Sequence, residues 1–181
     1  MRKVLKKIFN YNNWHISPLL SRKYAQELIL FLNKLENNKN YLEIGCGLGD
    51  IIRNVNFKKR LGLDYEKEVL RAARFLSLLS FQPNIIYRNF TFPIDQIEGK
   101  FDVIVLVNWI HNIEPEILKS KLSDYFQINL NRNGMIIIDT IQNNEYKYNH
   151  KVNFLAENLL CEINRIGKYE NQREIWEIIK K

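Results

Sequence analysis

Apolar residues along this chain follow two rhythms that take turns. Short apolar runs at 41–44, 60–64, 84–88, 102–107 and 135–139 have the length of strands. Those at 102–107 and 135–139 are apolar on both faces, as central parallel strands must be. Between the runs, apolar residues recur at helical spacing. Ser17-Pro18 offers a helix start, after which Tyr24, Leu28, Phe31, Leu32 and Leu35 line up until Asn37-Asn38 stops them. A second helix, from about Glu66 to Leu79, carries Val69, Leu70, Ala73, Leu76 and Leu79 on its apolar side. A third opens at Glu114-Pro115 with Ile117, Leu118, Leu122 and Phe126 inward, before Asn133-Gly134 turns the chain into the run at 135–139. A short helix fits 152–160. The end differs, because 161–166 and 173–179 read as strands joined by the polar tip 167–172, a hairpin. This alternation predicts an α/β fold with a doubly wound, mostly parallel seven-stranded sheet, completed by the antiparallel C-terminal hairpin.

At 181 residues there is length for one ordinary domain and no second. We divide the chain into a basic lid-like segment, 1–20, and one domain, 21–181. Apolar residues at 46% and charged residues at 26% describe a soluble globular protein. No apolar run is long enough to span a bilayer, and the basic N-terminus lacks the apolar core of a secretory signal, so cytoplasmic residence is expected. Val4, Leu5, Ile8 and Phe9 share one side of that N-terminus, which suits either a helix packed on the domain or a contact with a membrane surface. Cys46 and Cys161 supply neither a bridge framework nor a metal set. The net charge of +7 is spread thinly and accompanies 23 asparagines and 24 isoleucines, a compositional drift rather than a basic face. It suits an anionic small molecule as well as a nucleic acid.

The run at 41–44 ends in Glu43 and Ile44, and Gly45, Gly47 and Gly49 follow at once, with helix-compatible sequence from Asp50. Glycines there bring bare backbone amides close to a ligand. The dinucleotide fingerprint would place its third glycine where this chain has Asp50, and Glu43 would repel a pyrophosphate while attracting a cation. This segment, Tyr41 to Asp50, resembles motif I of the class I S-adenosylmethionine-dependent methyltransferases. The resemblance extends over roughly residues 20–181 and implies S-adenosylmethionine as cofactor, S-adenosylhomocysteine as product and methyl transfer as the activity.

In an open parallel sheet, ligands sit beyond the carboxyl ends of the strands. Glu43, Gly45, Cys46, Gly47 and Gly49 therefore belong to the expected cofactor crevice, with Asn108 after the fourth strand. Asp64 closes the second strand, where the family carries an acid. Its two oxygens suit both ribose hydroxyls, although an N-cap for the following helix is the alternative. Tyr65 or Phe90 is expected against the adenine. The family usually has Asp at the end of the third strand, and Asn89 stands there, still able to accept from the adenine amino group.

After the fourth strand the chain reads Asn108-Trp109-Ile110-His111-Asn112, without the Pro-Pro of the enzymes that methylate amino groups of bases. That favours an oxygen acceptor, for which a base must remove a proton. His111 is the first candidate base and His150 the second. His15, Trp109 and Tyr146 are candidate acceptor contacts. Too few acids gather near Asp139 to hold a metal, and none is expected. Trp14-His15, Asn108 to His111 and Tyr146 to His150 together resemble small bacterial methyltransferases encoded among surface-polysaccharide genes, implying a sugar or sugar-nucleotide hydroxyl. The competing functions are RNA methylation, from the charge, and a non-catalytic cofactor-binding partner subunit.

Overall fold

A computed structural model of the chain describes residues 2–36 and 39–181. Helix α1 spans Arg2–Phe9, α2 Lys23–Lys34, α3 Lys67–Leu79, α4 Pro115–Asp124, and the single turn α5 Val152–Leu155. Strands β1 Asn40–Ile44, β2 Lys59–Asp64, β3 Ile85–Asn89, β4 Phe101–Leu106, β5 Leu130–Thr140, β6 Cys161–Lys168 and β7 Glu174–Lys180 form one sheet in the order β3-β2-β1-β4-β5-β7-β6. The first five pair in parallel, while β7 pairs antiparallel with both β5 and β6. This is the class I methyltransferase fold, with the expected terminal hairpin.

The sheet buries both faces. One carries Leu28, Leu32, Val69, Leu70 and Leu76 from α2 and α3, joined by Leu5 of α1. The other carries Leu118 and Leu122 of α4 with Val152 and Leu155 of α5. Strand order reverses between β2 and β4 around β1, which opens a crevice above the carboxyl ends of those strands.

Several boundaries depart from the sequence expectation. The segment after Ser17-Pro18 forms a 3-10 turn, Leu19–Ser21, and α2 starts only at Lys23. The stop at Asn37-Asn38 lies outside the described residues. Asn133-Gly134 is not a turn ahead of β5 but part of it: Phe101 pairs with Leu130 and Val103 with Met135, so residues 131–134 form a bulge, and Asn133 takes a positive φ. Leu79 and Ile117, expected inside, are exposed, because each lies at the margin of its helix's apolar stripe. Phe126 is buried, but in a π-helical turn after α4. The helix expected over 152–160 is one turn long.

Candidate active site

Above β1 and β4 lies a cavity of about 960 Å³. It brings together Glu43, Gly45, Cys46, Gly47, Asp64, Tyr65, Phe90, Asn108, Trp109 and His15. Its floor is the turn after β1, where the amides of Gly45 and Cys46 both donate to the Leu63 carbonyl, at 2.7 and 3.0 Å. Gly45 has φ +76°, and a Cβ there would stand 2.3 Å from the Trp109 ring. Trp109 in turn is pinned by its indole N–H, which donates to the Ile44 carbonyl at 2.7 Å. Gly45→Ala is therefore expected to cost about 2–4 kcal/mol, from the left-handed backbone plus the clash, read as a lowered urea midpoint. Gly49 lies under the cavity without lining it; a Cβ there would stand 2.4 Å from the Tyr87 hydroxyl.

Glu43 is 4% exposed at the base of this cavity. The Tyr41 hydroxyl donates to it at 3.3 Å, and no cation bonds it among the described residues. Burial pushes its carboxyl up to about 8. Such an acid gains strongly from any cation brought beside it. Asp50, another lining residue, collects Arg2 at 2.6 Å, Arg53 at 3.1 Å and Arg22 in a short contact. Three guanidinium groups on one carboxylate leave this end of the cavity with surplus positive charge, and Arg22 itself lines it.

At the other end, Asp64 is 4% exposed and accepts from the Gly47 amide at 2.8 Å and from the Glu66 amide at 3.0 Å. Burial raises its carboxyl, against these two bonds and the nearby His15. Each oxygen keeps a lone pair. Tyr65 and Phe90 line the cavity beside it. Asn89 does not line this cavity: its amide donates to the Asp64 and Tyr65 carbonyls, at 3.2 and 2.8 Å, so it braces the end of β2.

The roof comes from the N-terminal segment. Trp14, His15 and Ser17 line the cavity. Glu66 anchors the segment by accepting from the Asn12 amide and side chain, at 2.7 and 2.9 Å, and by contacting His15 Nε2 at 3.2 Å. Arg2 adds bonds to the His15 and Ser17 carbonyls. His15 lies over Gly47, its Nδ1 2.9 Å from where a Cβ would be.

The histidines expected as bases do not reach the cavity. The chain turns inward after Trp109, and the 3-10 turn Ile110–Asn112 buries His111 completely. Its Nε2 donates to Asp139 Oδ2 at 3.2 Å, and Arg173 of the terminal hairpin closes on the same oxygen. Burial, with Arg173 second, holds the imidazole down at about 4. His150 is 2% exposed and donates to the Ile110 carbonyl at 3.0 Å. Tyr146 stacks edge-on against His111 at 4.9 Å instead of facing the cavity. The two histidines are buried behind Asn108, with Tyr146 half-buried over them. Asn108 is tied to this cluster through its amide, 2.9 Å from Asp139 Oδ1, and its side-chain oxygen, 3.1 Å from Arg173.

Asp50, Arg22, Glu66 and Arg173 were not among the site residues expected from the sequence. Glu66 reads as an ordinary first-turn acid, and Arg173 as a strand residue.

No protein-family model matches the chain, and no curated protein matches it. Solved structures do. The N-methyltransferase NodS from Bradyrhizobium japonicum WM9, in complex with S-adenosyl-l-homocysteine, superposes with TM-score 0.76 at 13% identity, over 99% of this chain and 97% of that one. Magnesium protoporphyrin IX methyltransferase (ChlM) from Synechocystis PCC 6803, with bound SAM, gives 0.70 at 13%, over 99% and 97%. DhpI in its SAH complex gives 0.72 at 12%, over 96% and 93%. Across nearly its whole length, this chain therefore has the fold of S-adenosylmethionine-dependent methyltransferases.

Proposed function

We propose that this protein is an S-adenosylmethionine-dependent methyltransferase acting on a small molecule. The observation that carries the reading is Glu43, an acid buried at the base of the cavity with no cation bonded to it among the described residues, with Arg22 nearby and Asp64 opposite. A ligand with an ammonium, a carboxylate and a ribose matches those three groups in turn. Glu43 would take the ammonium, Arg22 the carboxylate and Asp64 the ribose hydroxyls, with Tyr65 and Phe90 against the adenine. Bound there, the cofactor supplies a methyl group on a positively charged sulfur. The protein's part is then alignment and exclusion of water. The segment 1–20 serves as a lid and 21–181 as the domain it covers.

The acceptor belongs beside Asn108, where Trp109, Phe92, Tyr24, Asn112 and Ile113 line the wall. No acid or histidine stands among these wall residues, and the one histidine that lines the cavity, His15, lies over Gly47 with its Nε2 held by Glu66. The acceptor is read on this basis as one that brings its own nucleophile. We therefore narrow the expected oxygen acceptor from a sugar hydroxyl, whose proton a base such as the buried His111 would have to remove, to an oxygen already ionised at neutral pH on a planar molecule, a carboxylate or an acidic phenol. Aromatic walls favour that shape. The test is release of S-adenosylhomocysteine across a panel of phenols, carboxylic acids, amines and sugars. Turnover with the first two is expected; turnover with amines or sugars alone would overturn the acceptor assignment.

A further inference from the structure

Helix α1 contains Arg2, Lys3, Lys6 and Lys7 and no acid. It lies against α3, with Leu5 buried and Phe9 packed on Phe75 at 5.7 Å. That packing leaves Val4 and Ile8 outward, 59% and 67% exposed. On α3 the outward residues include Lys67, Arg71 and Arg74 against the one acid Glu68, and Leu78 and Leu79 are exposed beside them. Folding accounts for Leu5 and Phe9, but not for the apolar side chains left outside.

Phe81 sharpens the point. Where α3 ends, the Phe81 amide donates to the Leu78 carbonyl and the Gln82 amide to the Ser77 carbonyl, a closure that puts Phe81 at φ 54°. Glycine is the usual residue at such a position, and a bulky side chain there is strained. The phenyl recovers nothing from packing, since it is 92% exposed.

We propose that the outer face of α1 and α3, ending at Phe81, docks the protein on a membrane surface rich in anionic lipid. Lysines among protruding aliphatic and aromatic side chains match anionic headgroups over acyl chains. The same excess of positive charge makes this face repel a second copy of itself. A phenyl standing clear of its neighbours enters a deformable bilayer interface readily, whereas a folded partner would need a pocket shaped to receive it. The idea does not depend on the proposed methyl transfer, and its test uses no turnover.

The experiment is flotation of the full chain with vesicles of phosphatidylcholine, with and without about a third phosphatidylglycerol. Binding to the anionic vesicles at least roughly tenfold stronger is expected, with loss at ~0.5 M salt. Phe81→Gly relieves the strained backbone, so the fold survives, and binding is expected to weaken roughly tenfold. Lys3→Gln with Lys7→Gln is expected to weaken it by a similar factor. Equal binding to both vesicle types, unaltered binding by Phe81→Gly, or a dimer in sedimentation that Phe81→Gly abolishes would each overturn the proposal.

Discussion

Glu43→Gln is expected to weaken S-adenosylmethionine binding by about a hundredfold, measured by calorimetry. A buried carboxylate facing a cation contributes about 3 kcal/mol more than a neutral amide of the same shape, which is that factor in Kd. The substitution also acts on the ligand-free protein. Glu43 sits at about 8 when folded and near 4.5 when unfolded, so between these values the folded chain holds a proton that the unfolded chain has lost. The folded state is therefore progressively disfavoured as pH rises through that window, and the loss stops above about 8. Glu43→Gln removes this slope. The variant should gain stability relative to the parent as pH goes from 5 to 8, by on the order of 1 kcal/mol per unit in the steep part. Such a gain in stability paired with a loss in ligand affinity is the signature of a group kept for binding.

Arg173→Met has the second large expected effect, on stability. It leaves Asp139, fully buried, with the neutral imidazole of His111 and the Asn108 amide as partners. Breaking a buried ion pair from one side costs about 3–5 kcal/mol. For a chain of this size that corresponds to a fall in Tm of roughly 10 °C. The pH dependence separates this from simple loss of packing. Burial first and Arg173 second hold His111 down at about 4; without Arg173 the Asp139 carboxylate left beside the imidazole favours its charged form, which then serves as counter-ion. The variant's deficit should therefore shrink as pH falls from 7.5 towards 5.5. A deficit that stays constant or grows over that range would mean that His111 does not pair with Asp139.

The fold was legible because strand and helix are written in different periods, and because the glycines at 45, 47 and 49 mark a turn that few arrangements tolerate. Glu43 and Asp64 were legible for a related reason: an acid at the end of a strand in a parallel sheet lands at the crevice whatever the loops do. His111, His150 and Tyr146 could not be placed the same way. Their positions after β4 and β5 put them at the right edge of the sheet, but whether a loop residue faces the crevice or the interior depends on how the loop turns. Here the turn after Trp109, seated over Gly45, sends His111 inward. Arg173 was invisible because its partners, Asp139 and Asn108, are distant in sequence and meet only once the hairpin docks on β5. The bulge at Asn133-Gly134 was misread because Asn-Gly is the commonest turn dipeptide, and a bulge uses the same left-handed backbone.

The most direct test of the account is the number of protons released when S-adenosylmethionine binds, from calorimetry near pH 6.5 in buffers of different ionisation heat. The ligand's own amino group is already charged at that pH. Glu43 must lose its proton to meet it, so about one proton should leave the protein, and none should leave Glu43→Gln. No binding heat, or binding by the parent without proton release, would contradict the assignment of Glu43 as the cation-binding group of this site.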